Sequence, residues 1–316
     1  MINNHPNVSS DVRDRVERII KETGFSPNLA ARTLASQRAF VIGLVIPRSI
    51  QSLFGDPYFA RLTQGVVQAA NLFDHTVSLF LLESREIEER IIPRITRPGF
   101  IDGLVVQSTS SDDKVLSRIV NGTIPYVIAG RPLNYPDVTY IDVDNTNGAF
   151  MAVEHLVKLG HKRIGTVTGP MDAAPGRDRK AGYLQALRQY DLPVDEALIA
   201  EADFTEAGGY KGTKQVLQSK PDAIFVASDQ MGIGALDAIR QEGLSVPDDI
   251  AIVGFDDLPP ALYANPQLTT IRQPILRFGI AAVEMLINLI EDKVQPPQSK
   301  IMDVDLVVRE SCGGKR

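Results

Sequence analysis

From Phe40 onward the chain alternates two hydrophobic rhythms. Short, nearly unbroken apolar runs are each followed by a stretch with helical spacing of apolar positions. FVIGLVIP precedes a predicted helix at Pro57 to Leu72, and HTVSLFLLE precedes one at Arg85 to Ile95. IDGLVVQ leads to Asp112 to Asn121, and PYVIAG follows. A second set begins after VTYIDVDN: a helix at Thr146 to Leu159, the strand RIGTVTG and a helix at Gly176 to Tyr190. IAEADF then leads to Glu206 to Gln218, AIFVAS to Gln230 to Gln241, and AIVGFDD to a Pro-containing loop. The last long helix is expected at Pro274 to Ile290. Strands of this kind, buried on both faces and alternating with helices, predict an α/β fold of two doubly wound, parallel sheets.

The first forty residues read differently. Asp11 to Thr23 predicts a helix with Val12, Val16, Ile19 and Ile20 on one stripe, and Gly24 suits its C-terminal end. Asn28 is a candidate cap for a second, short helix through Leu34. This segment holds six Lys/Arg against four acids, whereas the rest holds 27 against 35 within a total net charge of −6. The N-terminal part is therefore where phosphate would be met. The single cysteine, Cys312, forms no internal disulfide and fits a reducing compartment. No apolar run reaches the length of a membrane span and no secretory leader is legible, which predicts a cytoplasmic protein.

In open parallel sheets ligands gather beyond the carboxyl ends of the strands. The residues at those ends are Phe54, Asp56, Tyr58 and Phe59 after the first strand, and Arg131 after the fourth. In the second set they are Arg179, Phe204, Ser228, Asp229, Asp256 and Gln273. Asp56 with Pro57 behind it also reads as an ordinary helix cap, and a polar residue after a strand is most often a turn. Taken together they offer aromatic planes and bidentate polar groups, which suit the C–H faces and paired hydroxyls of a sugar. Catalysis is not legible. His5, His75, His155 and His161 lack metal spacing, and no GxGxxG, Walker or GxSxG motif occurs, so no cofactor, metal or catalytic residue is expected.

Several strings taken in order, NNHPNVS, GFSPNLAARTL, PYFARLTQGV, VEHLVKLGHKRIG, SDQMGIGAL and VPDDIAIVGFDD, resemble the lactose-repressor and galactose-repressor family of bacterial transcription regulators from about Val8 to the C-terminus. The resemblance implies a periplasmic-binding-protein-like type I core, preceded by a partial α-helical DNA-binding head and a hinge helix. It divides the chain into a head remnant (1–25), hinge helix and linker (26–39), an N-terminal subdomain (40–142 with 272–303) and a C-terminal subdomain (143–271 with 304–316). It implies that Leu34 wedges between base pairs of operator DNA, with Asn28, Ala31 and Arg32 around it, and that Arg179 anchors a small-molecule effector in the cleft between subdomains. Family members that take purines have polar contact residues where this chain has Ala173 and Pro175, so a carbohydrate effector is the expectation.

A helix-turn-helix needs two helices before the NNHPNVS string, and Met1 stands at that string, so the expectation is a true start further upstream. A leucine-heptad tail is not seen after Cys312, which predicts a homodimer. The rival reading is a sugar receptor serving a transporter, without a DNA-binding role.

Overall fold

The computed structural model describes residues 10–23, 38–47, 49–97, 99–107 and 114–314. The expected DNA contacts Asn28, Ala31, Arg32 and Leu34 lie outside the described residues, as does His5. Helix α1 spans Ser10–Thr23, and Val12 and Ile19 of its stripe are exposed.

Two six-stranded sheets form the body. The first contains β1 (Val41–Ile46), β2 (Thr76–Leu81), β3 (Gly103–Gln107), β4 (Tyr126–Ala129), β5 (Tyr140–Val143) and β11 (Ser299–Met302), in the order β11-β5-β4-β3-β1-β2. All its pairings are parallel, for example Leu44 opposite Val105 and opposite Leu79. The second contains β6 (Ile164–Thr168), β7 (Ile199–Glu201), β8 (Ala223–Val226), β9 (Ala251–Asp256), β10 (Thr269–Arg272) and β12 (Asp305–Val307), in the order β12-β10-β9-β8-β6-β7. Only β12 runs antiparallel to its neighbour. The chain passes between the sheets after β5, after β10 and after β11.

The helices that matter for the site follow these strands. They are α2 (Ile50–Gly55), α3 (Pro57–Leu72), α4 (Arg85–Ile95), α5 (Lys114–Val120), α6 (Asn145–Lys158), α7 (Ala174–Gln189), α8 (Glu206–Leu217), α9 (Asp229–Gln241), α10 (Pro259–Tyr263) and α11 (Ile275–Ile290). The long helices fall where the apolar spacing put them, to within about two residues. The short α2 and α10 and the edge strands β11 and β12 were not foreseen. Six, five, four and three residues are too few to display a period.

The caps follow from local chemistry. Asp56 accepts from the N–H of Tyr58 at 2.9 Å, with Pro57 opening α3. Thr205 and Ser228 cap α8 and α9 through Gly208 and Met231.

The inner strands bury both faces, as continuous apolar runs require. Phe225 and Phe255 are wholly enclosed in the second sheet, each contributing about 1.5–3 kcal/mol of transfer free energy. Helices α3 and α11 pack on the first sheet and cross where both carry glycine. A Cβ on Gly65 would stand 2.2 Å from the carbonyl oxygen of Leu276, and one on Gly279 would stand 2.6 Å from that of Leu62. Among the described residues no helix is long and apolar enough to cross a membrane, and no cluster of three or more His, Cys, Asp or Glu is placed to hold a metal.

Candidate functional site

A cavity of about 430 Å³ lies between the carboxyl ends of the two sheets. From the first sheet come Gln107, Gly130, Arg131 and Asp142, together with Asp56, Tyr58 and Phe59 at the start of α3. From the second come Phe204, Ser228, Asp256 and Gln273, with Asn145, Arg179 and Gln230 on α6, α7 and α9.

Arg179 is the centre. It lies in the second turn of α7 and is 5% exposed. Its Nε donates to Asn145 Oδ1 at 2.9 Å, and Nη1 donates to the carbonyl of Ala227 at 2.5 Å and faces Asp256 Oδ1 at 3.5 Å. The guanidinium stacks on Phe255, 3.7 Å from the ring centroid. Nη2 has no partner among the described residues. A cation near a helix N-terminus opposes the helix dipole; here the carboxylate, the ring and the carbonyl hold it in place.

Asp256 sits opposite. Its backbone has φ of 122°, and Asp257 follows at 58°, conformations that residues with a Cβ take only when the surroundings impose them. Gln273 Nε2 donates to Asp256 Oδ1 at 2.5 Å. Burial pushes the Asp256 carboxyl up to about 7, against the opposing pull of Arg179. Asp142 is likewise raised by burial, although the N–H groups of Arg131 and Val143 donate to it and counter the shift. Burial also raises the Tyr58 hydroxyl, reinforced by the charges of Asp142 and Asp256.

Arg131 follows Gly130, whose φ of 94° makes the turn that glycine adopts without strain. Its Nη2 meets both oxygens of Asp178 on α7 at 2.7 Å, so this pair ties the two halves together beside the cavity. Phe204, at φ 65°, lies over Gly169, where an added Cβ would stand 2.1 Å from the ring, and its face lies 5.8 Å from the Arg179 guanidinium.

Of the sequence-predicted residues, the structure brings Asp56, Tyr58, Phe59, Arg131, Arg179, Phe204, Ser228, Asp256 and Gln273 to the cavity. Two are placed elsewhere. Phe54 is 81% exposed near the end of α2, because its neighbour Leu53 takes the buried position of that turn. Asp229 is fully buried beneath the site, accepting from Thr270 Oγ1 at 2.5 Å and from the N–H of Leu258 at 2.8 Å. Burial and the neighbouring Asp256 push its carboxyl well up. It braces the strand end without reaching the cavity.

Sequence reasoning missed Gln107, Asp142, Asn145 and Gln230. The first three stand at or just after strand ends, so the rule that found the others reaches them too. Gln230 is half-buried at the cavity wall, and its enclosed Oε1 lacks a hydrogen-bond partner among the described residues.

The lining carries six carboxylates, on Asp56, Asp142, Asp172, Asp203, Glu206 and Asp256, against two arginines. One of those arginines is already engaged by Asp178. Such a wall disfavours phosphate or carboxylate and accepts hydroxyls.

Known proteins share this architecture. Residues 153–312 match a periplasmic binding protein-like domain family. The HTH-type transcriptional regulator CelR of Thermobifida fusca is 36% identical across 98% of this chain and 92% of its own length. The HTH-type transcriptional regulator AglR of Rhizobium meliloti (strain 1021) is 31% identical across 99% and 89%. Among solved structures, a complex of the transcriptional regulator CelR with cellobiose superposes with a TM-score of 0.84 at 34% identity, covering 98% of this chain and 93% of that one. The lac repressor dimer bound to operator and the anti-inducer ONPF gives 0.83 at 26% identity, with the same coverage.

Proposed function

This chain belongs to the LacI family of HTH-type transcriptional regulators, and from that premise we propose that its cavity takes a neutral carbohydrate effector that governs operator binding. The observation that carries this reading is the wall itself. Acids outnumber free cations, a guanidinium fixed at two nitrogens keeps Nη2 available, and aromatic residues Tyr58, Phe59 and Phe204 line the same space. A pyranose presents hydroxyl pairs to such groups and a C–H face to rings. The regulator CelR, similar over nearly the whole length, is known in complex with cellobiose, which supports the same ligand class here.

The two subdomains are 40–142 with 272–303 and 143–271 with 304–316. A change in their angle on effector binding alters the spacing of two hinge segments in a homodimer. Within 26–39, Asn28, Ala31, Arg32 and Leu34 are the DNA contacts, and the protein acts in the cytoplasm without catalytic turnover. The coupling is reciprocal: an effector that weakens operator binding is itself held less tightly on the operator.

A thermal-shift screen of neutral mono- and disaccharides, sugar phosphates and purine nucleosides tests the ligand class. Stabilisation by a neutral saccharide is expected. A response to sugar phosphates or purines alone would overturn the reading.

A further inference from the structure

The cavity lies at the carboxyl ends of the strands in the first sheet, while residues 38–40 enter that sheet at its amino end, where β1 begins. A buried carboxylate fastens them there. Asp102, just before β3, accepts from the backbone N–H of Ala39 at 2.6 Å through Oδ1 and from that of Phe40 at 2.8 Å through Oδ2. Its side chain is 4% exposed.

Behind it, His75 Nε2 stands 3.4 Å from Oδ2, and His75 Nδ1 faces the carbonyl of Phe73 at 2.6 Å. The Phe40 carbonyl accepts from the N–H of Thr76 at 2.9 Å, and its ring packs on His75 with centroids 5.6 Å apart. Phe40 is held at φ 56°, a conformation a phenylalanine keeps only where its surroundings over-determine it. Arg38 Nη2 donates to the carbonyl of Ile290 at 3.0 Å, a cation at the favourable end of a helix. Three consecutive residues where the linker meets the body are each fixed, and Asp102 holds two of them.

The same fixtures lead back to the cavity. Helix α3 starts at the cavity residues Asp56 and Tyr58 and ends one residue before Phe73. Helix α11 starts two residues after Gln273 and ends at Ile290. Each has sixteen residues, a length of about 24 Å. Their glycine crossing at Gly65 and Gly279 brings the two backbones too close for even a Cβ between them.

We propose that Asp102 is the joint at which the body grips the linker, and that the α3–α11 pair delivers the state of the cavity to that joint. Asp102 is thus a positioning residue for the segment beyond the linker. The delivery rests on reading the cavity as the sensor; the grip does not.

Hydrogen–deuterium exchange on the full chain tests this, comparing the native protein with Asp102→Asn, each without and with saturating cellobiose. Asparagine keeps the shape but offers one acceptor oxygen where two N–H groups need one each. Peptides covering residues 38–41 should exchange about tenfold faster or more in the variant, with peptides around Asp256 and Gln273 unchanged and cooperative melting retained. Unaltered exchange at 38–41 would overturn the joint. Cellobiose should alter exchange at 38–41 in the native chain but not in the variant, while protecting cavity peptides in both. An equal linker response in both would overturn the delivery. No protection of cavity peptides in the native chain would fault the carbohydrate reading instead, and the comparison without sugar would still decide the joint. Should Asp102→Asn fail to fold, Ala39→Pro removes one donor and leaves the carboxylate in place. It must then speed exchange at Phe40, and an unchanged rate would overturn the joint.

Discussion

Gln273 donates to the Oδ1 of Asp256 at 2.5 Å, and the same oxygen faces Nη1 of Arg179 at 3.5 Å. Gln273 stands where the chain leaves the second sheet for α11, and Arg179 stands on α7, so one carboxylate oxygen gathers a crossover and a helix. The site and a crossover between the two sheets therefore meet at Asp256.

That carboxyl makes stability depend on pH in a defined direction. Folded, it titrates near 7; its ordinary value is 3.8. Between those values the folded chain keeps a proton that the unfolded chain has released, so the stability this group confers falls as pH rises. The melting temperature of the native chain relative to Asp256→Asn should therefore fall between about pH 5 and about pH 7.5. A difference that stays constant or grows would contradict the assignment.

Phe204 carries a cost in its backbone. At φ 65° a Cβ is unfavourable, by about 1 kcal/mol. Phe204→Gly should accordingly be more stable than Phe204→Ala by about 1 kcal/mol, measured by chemical denaturation. Both should weaken saccharide binding, because the ring over Gly169 is lost in each. Equal stability of the two variants would show that the conformation relaxes freely.

The crossing of α3 and α11 tolerates no added methyl. In Gly65→Ala the new carbon would press on the backbone carbonyl of Leu276, and over-packing of this kind costs about 1–3 kcal/mol. Circular-dichroism melting should show a clear loss. An unchanged transition would mean the helices separate easily, and with that the rigid delivery toward Asp102 would lose its basis.

The long helices and the inner strands of both sheets were legible because each buries a face or is buried on both, and burial leaves a period in the sequence. Strand ends located nine of the residues that line the cavity for the same topological reason. What was illegible depends on the third dimension. Nothing in the sequence says that Asp229 turns beneath β10 to meet Thr270, or that Phe54 turns outward. The Asp102 grip on Ala39 and Phe40 spans more than sixty residues, and its acid sits in IDGLVVQ as an unremarkable strand flank. Arg179 was found by its place beyond a strand end, but Phe255, which stacks on it, lies within β9 and carried no such sign.

The central claim is that Arg179 and its partners hold a neutral saccharide. Isothermal titration with the saccharide that most stabilises the native chain, repeated on Arg179→Met, tests it most directly. Methionine keeps an apolar stem against Phe255 while removing every guanidinium donor. Loss of charge-assisted hydrogen bonds at about 1.5–3 kcal/mol each predicts affinity weaker by about a hundredfold in a variant that still melts cooperatively. A dissociation constant unchanged from that of the native chain would contradict the account.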